Sequence, residues 1–149
     1  MRRALACLLM ALFGVPAAAS AAAPTLTAAG SAYGSILFDG RGFVLYAFTR
    51  DAAGRSTCAG DCATAWPPYV VRGRPTAGPG VNGTLLGTAR RRDGSRQVTY
   101  AGRPLYYWSG DTAHTILCQH VNLHGGFWYV VNPNGTPNKA KGIGTMSMM

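Results

Sequence analysis

The sequence predicts a small all-β domain, built by internal duplication and exported from the cell. Short β-branched and aromatic runs alternate with glycine-bearing turns, which is typical of short antiparallel strands and hairpins. The chain also matches itself at an offset of 60 residues, which indicates two tandem repeats. Its N-terminus has the composition of a secretory signal, and its 149 residues suit a single domain.

Residues 1–21 are predicted to form a cleavable signal peptide. Arg2 and Arg3 give it a positive start, residues 4–15 are almost wholly apolar, and small residues follow. The apolar run is shorter than the ~20 residues that cross a bilayer, and no later segment approaches that length, so no transmembrane segment is expected. Cys7 lies before the end of the apolar run and cannot become a lipid-modified first residue. We therefore expect a soluble protein, periplasmic or secreted, that is not lipid-anchored.

The mature chain is predicted to have a lead-in, a β domain and a tail. Residues 22–32 are rich in alanine and show no strand or helix period, so they are expected to be disordered. Residues 33–135 contain the strand and turn patterns of the β domain, and residues 136–149 are expected to be a flexible tail. One short helical turn is predicted near Cys62, because two prolines follow it closely.

The duplication is visible without gaps. Positions 42–71 and 102–131 share nine identical residues, whereas ordinary residue frequencies give about two by chance. We place repeat one at about 36–72 and repeat two at about 96–132. Because each copy is too small to bury its own apolar face, we expect the two copies to share one core.

The motif Tyr-x-aromatic-x-x-Asp occurs at the same place in both repeats. Its residues are Tyr46, Phe48 and Asp51 in repeat one, and Tyr106, Trp108 and Asp111 in repeat two. Together with the segment CAGDCATAWPP, which contains Trp66, and the strand around Trp128, the motif resembles the bacterial secreted-repeat family of predicted lipoproteins. The likeness covers roughly residues 31–135. It implies a secreted repeat domain and brings no established activity with it.

The motif residues have a structural interpretation and a functional alternative. The two aromatic residues are two positions apart and share one face of a strand, where they pack in the core or form a platform for a ligand. Asp51 and Asp111 follow these strands, and the pattern Asp51-Ala-Ala-Gly54 favours a turn whose carboxylate accepts backbone N–H groups. The catalytic alternative pairs both aspartates as acid and base, which requires them to lie close together. Because no common catalytic motif is present, we expect no enzyme.

The cysteines allow two disulfide pairings. Three cysteines remain after export, so at least one thiol has no intramolecular partner. Cys58 and Cys62 are four residues apart around the predicted helical turn, and they are candidates for a disulfide in an oxidising compartment. The repeat offers the other pairing, of either residue with Cys118. Both pairings stay open at this point.

Soft-metal binding is the alternative function. Cys118, His120 and His124 lie within seven residues, and in an extended segment their even separations place all three side chains on one side. Thiolate and imidazole are ligands for copper or zinc, and three methionines of the tail add soft sulfur atoms. The interpretation that we prefer is that the protein has no cofactor and that these histidines are ordinary polar residues of a loop.

Charge gives the remaining indication of function. Removal of Arg2 and Arg3 with the signal lowers the formal net charge from +9 to +7. This excess of positive charge favours attraction to anionic components of the cell envelope. The basic residues are scattered along the sequence and do not form the stripe that is typical of a nucleic-acid-binding protein. We therefore expect an exported, non-catalytic structural or binding module of the envelope or extracellular space. We expect a monomer, with its ligand unknown.

Overall fold

The computed structural model describes residues 25–141, in which strands dominate. The elements within this range are β1 (Leu26–Ser31), β2 (Gly34–Asp39), β3 (Tyr46–Phe48), α1 (Asp61–Ala65), a 3₁₀ turn (Gly83–Leu85), β4 (Leu86–Arg90), β5 (Arg96–Tyr100), β6 (Arg103–Pro104), β7 (Val121–Leu123) and β8 (Gly126–Val130). The predicted all-β class is confirmed. The predicted helical turn near Cys62 is confirmed as α1, which ends just before Trp66 and the two prolines that follow.

The strands form three small antiparallel sheets. Strand β1 pairs with β2, β8 lies between β3 and β7, and β5 lies between β4 and β6. The second sheet joins the two repeats, because β3 of repeat one pairs with β8 of repeat two in the register Tyr46 opposite Val130 and Phe48 opposite Trp128. The duplicated units therefore interlock and do not form separate bodies.

The core consists of two hydrophobic clusters on opposite sides of the same strands. Ile36 and Phe38 belong to the first cluster, while Leu37 between them belongs to the second. In the same way, Tyr46 belongs to the first cluster and its neighbour Leu45 to the second. Because successive side chains of a strand point to opposite faces, a strand buried on both faces needs a continuous apolar run. This explains the unbroken hydrophobic runs of repeat one.

Two predicted boundaries are wrong. The disordered lead-in was predicted to continue to residue 32, but β1 pairs along its whole length with β2, and Ala28 donates its backbone N–H to Pro79 at 2.9 Å. The flexible tail was predicted to begin at 136, but the backbone N–H of Asn138 donates to Val130 at 2.8 Å. Backbone hydrogen bonds to distant segments order both ends, and local composition does not reveal them.

Some of the sequence predictions lie outside the described residues. These are the signal peptide, the first residues of the lead-in and the methionines of the tail. Within the described part of the chain, no helix has the length and apolar character that a membrane crossing requires.

Candidate functional site

The centre of the molecule is the contact between the two copies of the motif. The backbones of Tyr46 and Tyr106 pair in an antiparallel bridge, in which each N–H donates to the carbonyl of the other at 2.9 Å. These two residues are equivalent in the repeats, so the bridge relates one copy to the other by a local twofold arrangement. Both side chains are fully buried.

The tyrosines and aspartates of the motif bind each other across the repeats. Tyr46 Oη donates to Asp111 Oδ2 at 2.7 Å, and Tyr106 Oη donates to Asp51 Oδ2 at 2.6 Å. The second oxygen of each carboxylate accepts a backbone N–H six residues further along its own repeat. The donors are Thr57 for Asp51 at 2.7 Å and Leu117 for Asp111 at 2.9 Å. The motif is therefore a reciprocal lock, and both carboxylates are engaged in it.

Burial keeps the phenols of this lock protonated. It raises the pKa of Tyr46 and of Tyr106 well above the usual value, and the neighbouring aspartates raise both further. Burial also raises the pKa of Asp111, while the hydrogen bonds from Tyr46 and Leu117 lower it. The arrangement supports hydrogen bonds from phenol to carboxylate, which hold the two repeats together.

Four aromatic rings stack through the core, and they alternate between the repeats. Phe48 stacks on Trp128 at 4.1 Å between ring centroids, Trp128 stacks on Trp66 at 4.0 Å, and Trp66 packs against Trp108 at 4.7 Å. Trp108 is half-buried at one end, and the other three rings are buried. Three of the four rings thus face other rings of the core, and not a surface where a ligand could stack.

Of the two pairings that the sequence left open, the disulfide joins Cys58 and Cys62, and Cys118 is free. The disulfide joins Cα atoms 5.3 Å apart across the start of α1. Burial, with a further contribution from Asp111, raises the pKa of the Cys118 thiol to about 11. This thiol is therefore almost entirely protonated near neutral pH, which makes it a poor nucleophile.

The segment that would present Cys118, His120 and His124 on one side, if it were extended, is not extended over its whole length. His120 and His124 have left-handed backbones, with φ of 58° and 55°, and only β7 between them is extended. The ring of His120 packs instead against Phe127 and Tyr129. Among residues 25–141, no three side chains of the His, Cys, Asp or Glu type are grouped as metal ligands.

The fold gathers arginines that the sequence interpretation treated as scattered. Arg55 of repeat one and the run Arg90-Arg91-Arg92 line one groove of about 540 Å³, which we call the arginine groove. The run itself is visible in the sequence just before the Asp93-Gly94 turn. Its meeting with Arg55 is not visible there, because the two segments are some 35 residues apart.

Comparison with known proteins identifies the repeats. A family model described as a secreted repeat of unknown function matches residues 27–69 and 87–132. No curated protein and no solved structure was found to match the chain. The two matched segments correspond to the two copies found in the sequence, and together they cover more than half of the chain. This protein therefore belongs to a family of secreted repeat proteins whose function is unknown.

Proposed function

We propose that this protein is an exported, non-catalytic binding module, held on anionic polymers of the cell envelope by its positive charge. The observation that carries the proposal is the unequal use of its charged groups. The chain has 14 basic residues and 5 acidic ones. Most of the acidic groups are engaged by the fold, and most of the basic groups face the solvent.

The acidic side chains serve the structure. Four of the five accept hydrogen bonds from their own chain, namely Asp39, Asp51, Asp93 and Asp111. The fifth, Asp61, is exposed in the first turn of α1. Because both motif aspartates already bind a tyrosine and a backbone N–H, neither is available as a general acid or base. This supports a non-catalytic role.

The basic side chains are largely without acidic partners. Within residues 25–141, the single ion pair joins Arg41 Nε to Asp39 Oδ2 at 2.9 Å. Besides Arg41, seven arginines of this range are exposed and make no ion pair within it, namely Arg50, Arg55, Arg72, Arg74, Arg90, Arg92 and Arg96. Uncompensated surface charge of one sign attracts polyanions over a Debye length, which is about 8 Å at physiological ionic strength. The charge distribution thus supports attachment to an anionic surface.

The test measures binding of the purified mature chain to three polymers. The probes are a glycerol-phosphate teichoic acid, polygalacturonate as a carboxylate polymer, and neutral dextran, each over a series of salt concentrations. We expect both polyanions to bind, with affinity that falls steeply as salt rises, and dextran not to bind. Binding that is equal for dextran, or unchanged by salt, contradicts the proposal. Shortening of any bound polymer, measured by size-exclusion chromatography, contradicts the non-catalytic part.

A further inference from the structure

The arginine groove is a built concentration of positive charge. Its walls are the crossover of repeat one, residues 55–60, and the end of β4 with the turn that follows it. It contains four arginines and one acidic residue, Asp93, so its formal charge is +3. A volume of about 540 Å³ lies within the ordinary range of ligand sites.

Arg91 is fixed in the floor of this groove by neutral partners. Its Nη1 atom donates to Ser56 Oγ and to Gln97 Oε1, both at 2.8 Å, and its Nη2 atom donates to the Cys58 carbonyl at 2.9 Å. Its Nε atom is buried and has no hydrogen-bond partner among the described residues. Within residues 25–141, neutral groups therefore make all of its hydrogen bonds and it forms no ion pair, so its positive charge remains available to attract an anion.

The one acidic residue of the groove, Asp93, forms no ion pair with Arg91 and offsets only part of the positive charge. Asp93 Oδ1 accepts from the backbone N–H of Ser95 at 2.9 Å and from its hydroxyl at 2.6 Å, so this carboxylate closes the turn between β4 and β5. These hydrogen bonds, and to a smaller extent the charge of Arg91, lower the pKa of Asp93, which keeps it ionised. The +3 charge of the groove already includes this carboxylate.

The groove is rigid on the side of repeat one. The disulfide between Cys58 and Cys62 holds the wall whose carbonyl binds Arg91, and Cys58 is buried in the first hydrophobic cluster. Arg55, Arg90 and Arg92 are exposed around this fixed centre. A site whose central cation is already ordered loses less conformational entropy when a ligand binds.

We infer that the arginine groove binds phosphate groups of an anionic envelope polymer, with Arg55, Arg90 and Arg92 as the donors around Arg91. Guanidinium groups match the oxygens of phosphate in a forked geometry, and arginines approaching from two chain segments suit a tetrahedral group better than a planar carboxylate. The inference rests on the proposed function, and it replaces diffuse attraction by one site. It predicts that the loss of these particular charges matters more than the loss of charge in general.

The experiment compares two variants that each lose three positive charges. The groove variant is R55A/R90A/R92A, and the control is R50A/R72A/R74A, whose arginines are exposed outside the groove. Dissociation constants for the glycerol-phosphate teichoic acid and for polygalacturonate are measured at one salt concentration, after circular dichroism has shown that both variants are folded. We expect the groove variant to lose at least about tenfold more affinity for teichoic acid than the control, and the two variants to weaken polygalacturonate binding about equally.

Each other result has a defined meaning. If both variants weaken teichoic acid binding equally, the phosphate site is overturned and diffuse attraction remains. If the groove variant weakens polygalacturonate as much as teichoic acid, the site is not selective for phosphate and the inference is again overturned. If the wild-type chain binds neither polyanion, the proposed function itself fails.

Discussion

The two repeats share the same motif but differ in the crossover that follows it. In repeat one, a disulfide and α1 close the crossover, and Trp66 comes next. In repeat two, the crossover has a free thiol at Cys118, strand β7 and then Gly126. The residues that bind one repeat to the other are therefore alike, while those inside each crossover have diverged.

This difference separates the fold from the candidate site. The contacts between the repeats are reciprocal, since each tyrosine binds the aspartate of the other copy. The arginine groove, by contrast, is lined by the crossover of repeat one together with the end of β4 and the turn that follows it, and by no part of the crossover of repeat two. A duplicated domain can vary one crossover without weakening the shared lock, and the proposed phosphate site lies beside the crossover of repeat one.

The replacement of Trp66 by glycine at the equivalent position in repeat two has a packing reason. A Cβ atom on Gly126 would lie 2.7 Å from Arg50 Cγ and 2.8 Å from Phe48 Cε2. Those distances are too short for any side chain, so β8 approaches repeat one as closely as glycine allows. Trp66 fills the centre of the stack alone, with no counterpart from repeat two.

The largest effect is expected from removing that unmatched ring. Trp66→Ala should lower the free energy of unfolding by about 3–5 kcal/mol, because it leaves a cavity between two stacked rings. Trp108→Ala, at the half-buried end of the same stack, should cost clearly less. Urea denaturation of both variants measures the difference. Equal losses in the free energy of unfolding would show that the ring at the centre of the stack contributes no more to stability than the ring at its end.

Reduction of the disulfide tests the crossover of repeat one. The chain-entropy model gives about 2 kcal/mol for a loop this short, so dithiothreitol should lower the free energy of unfolding by about that amount. Cys118→Ala serves as the control, because it leaves the disulfide intact and should show the same response to reductant as the wild type. If the reduced protein is as stable as the oxidised one, the disulfide does not stabilise α1 and the crossover around it.

The two halves of the reciprocal lock should differ in strength. Tyr46→Phe leaves the buried carboxylate of Asp111 with only the Leu117 N–H, and we expect a loss of about 2 kcal/mol. Tyr106→Phe leaves Asp51 with both the N–H and the hydroxyl of Thr57, and we expect a loss of about 1 kcal/mol. Thermal or urea unfolding of the two variants measures both losses. A larger loss in Tyr106→Phe than in Tyr46→Phe would contradict the prediction that the half of the lock with Asp111 is the stronger one.

The sequence predicted the features that depend on neighbouring residues. The short helical turn follows from local spacing, and the fold class and duplication follow from pattern. Local spacing also made Cys58 with Cys62 one of two candidate disulfides, and the structure has this one. Strand β1 was missed, because the segment LTAAGS lacks the aromatic residues typical of a strand, and its order comes from pairing with β2. Long-range pairing overrides weak local propensity there.

The candidate site was less predictable for the same reason. The motif aspartates were expected to bind nearby backbone N–H groups, and they do, but their tyrosine partners lie 55 and 65 residues away. No local rule identifies such a partner. The metal alternative depended on an extended segment around His120, and the structure has instead two residues with left-handed backbones flanking a strand of only three residues. The arginine groove needed the fold to bring Arg55 to the arginine run.

The smallest effect we predict is the pH dependence that Asp111 adds to stability. Burial raises its pKa in the folded protein above the value of about 3.9 expected in the unfolded chain, so the folded state binds this proton more tightly. The contribution of Asp111 to the free energy of unfolding should therefore fall as pH rises from about 4 through the raised pKa, and should stay constant outside that window.

Asp111→Asn isolates this contribution, because it keeps an acceptor for Tyr46 but does not titrate. Urea unfolding at several pH values should show that the stability of the wild type relative to Asp111→Asn declines as pH rises through the window. In Tyr46→Phe the window should extend to higher pH, since the lost hydrogen bond is one that lowers the pKa of Asp111. Tyr106→Phe should leave the window unchanged, because its hydroxyl binds Asp51 in the other half of the lock. If the stability of the wild type relative to Asp111→Asn rises with pH, the hydrogen bonds that lower the pKa of Asp111 outweigh the burial that raises it. Those hydrogen bonds would then stabilise the half of the lock formed by Tyr46 and Asp111 more than the ionised carboxylate loses by burial.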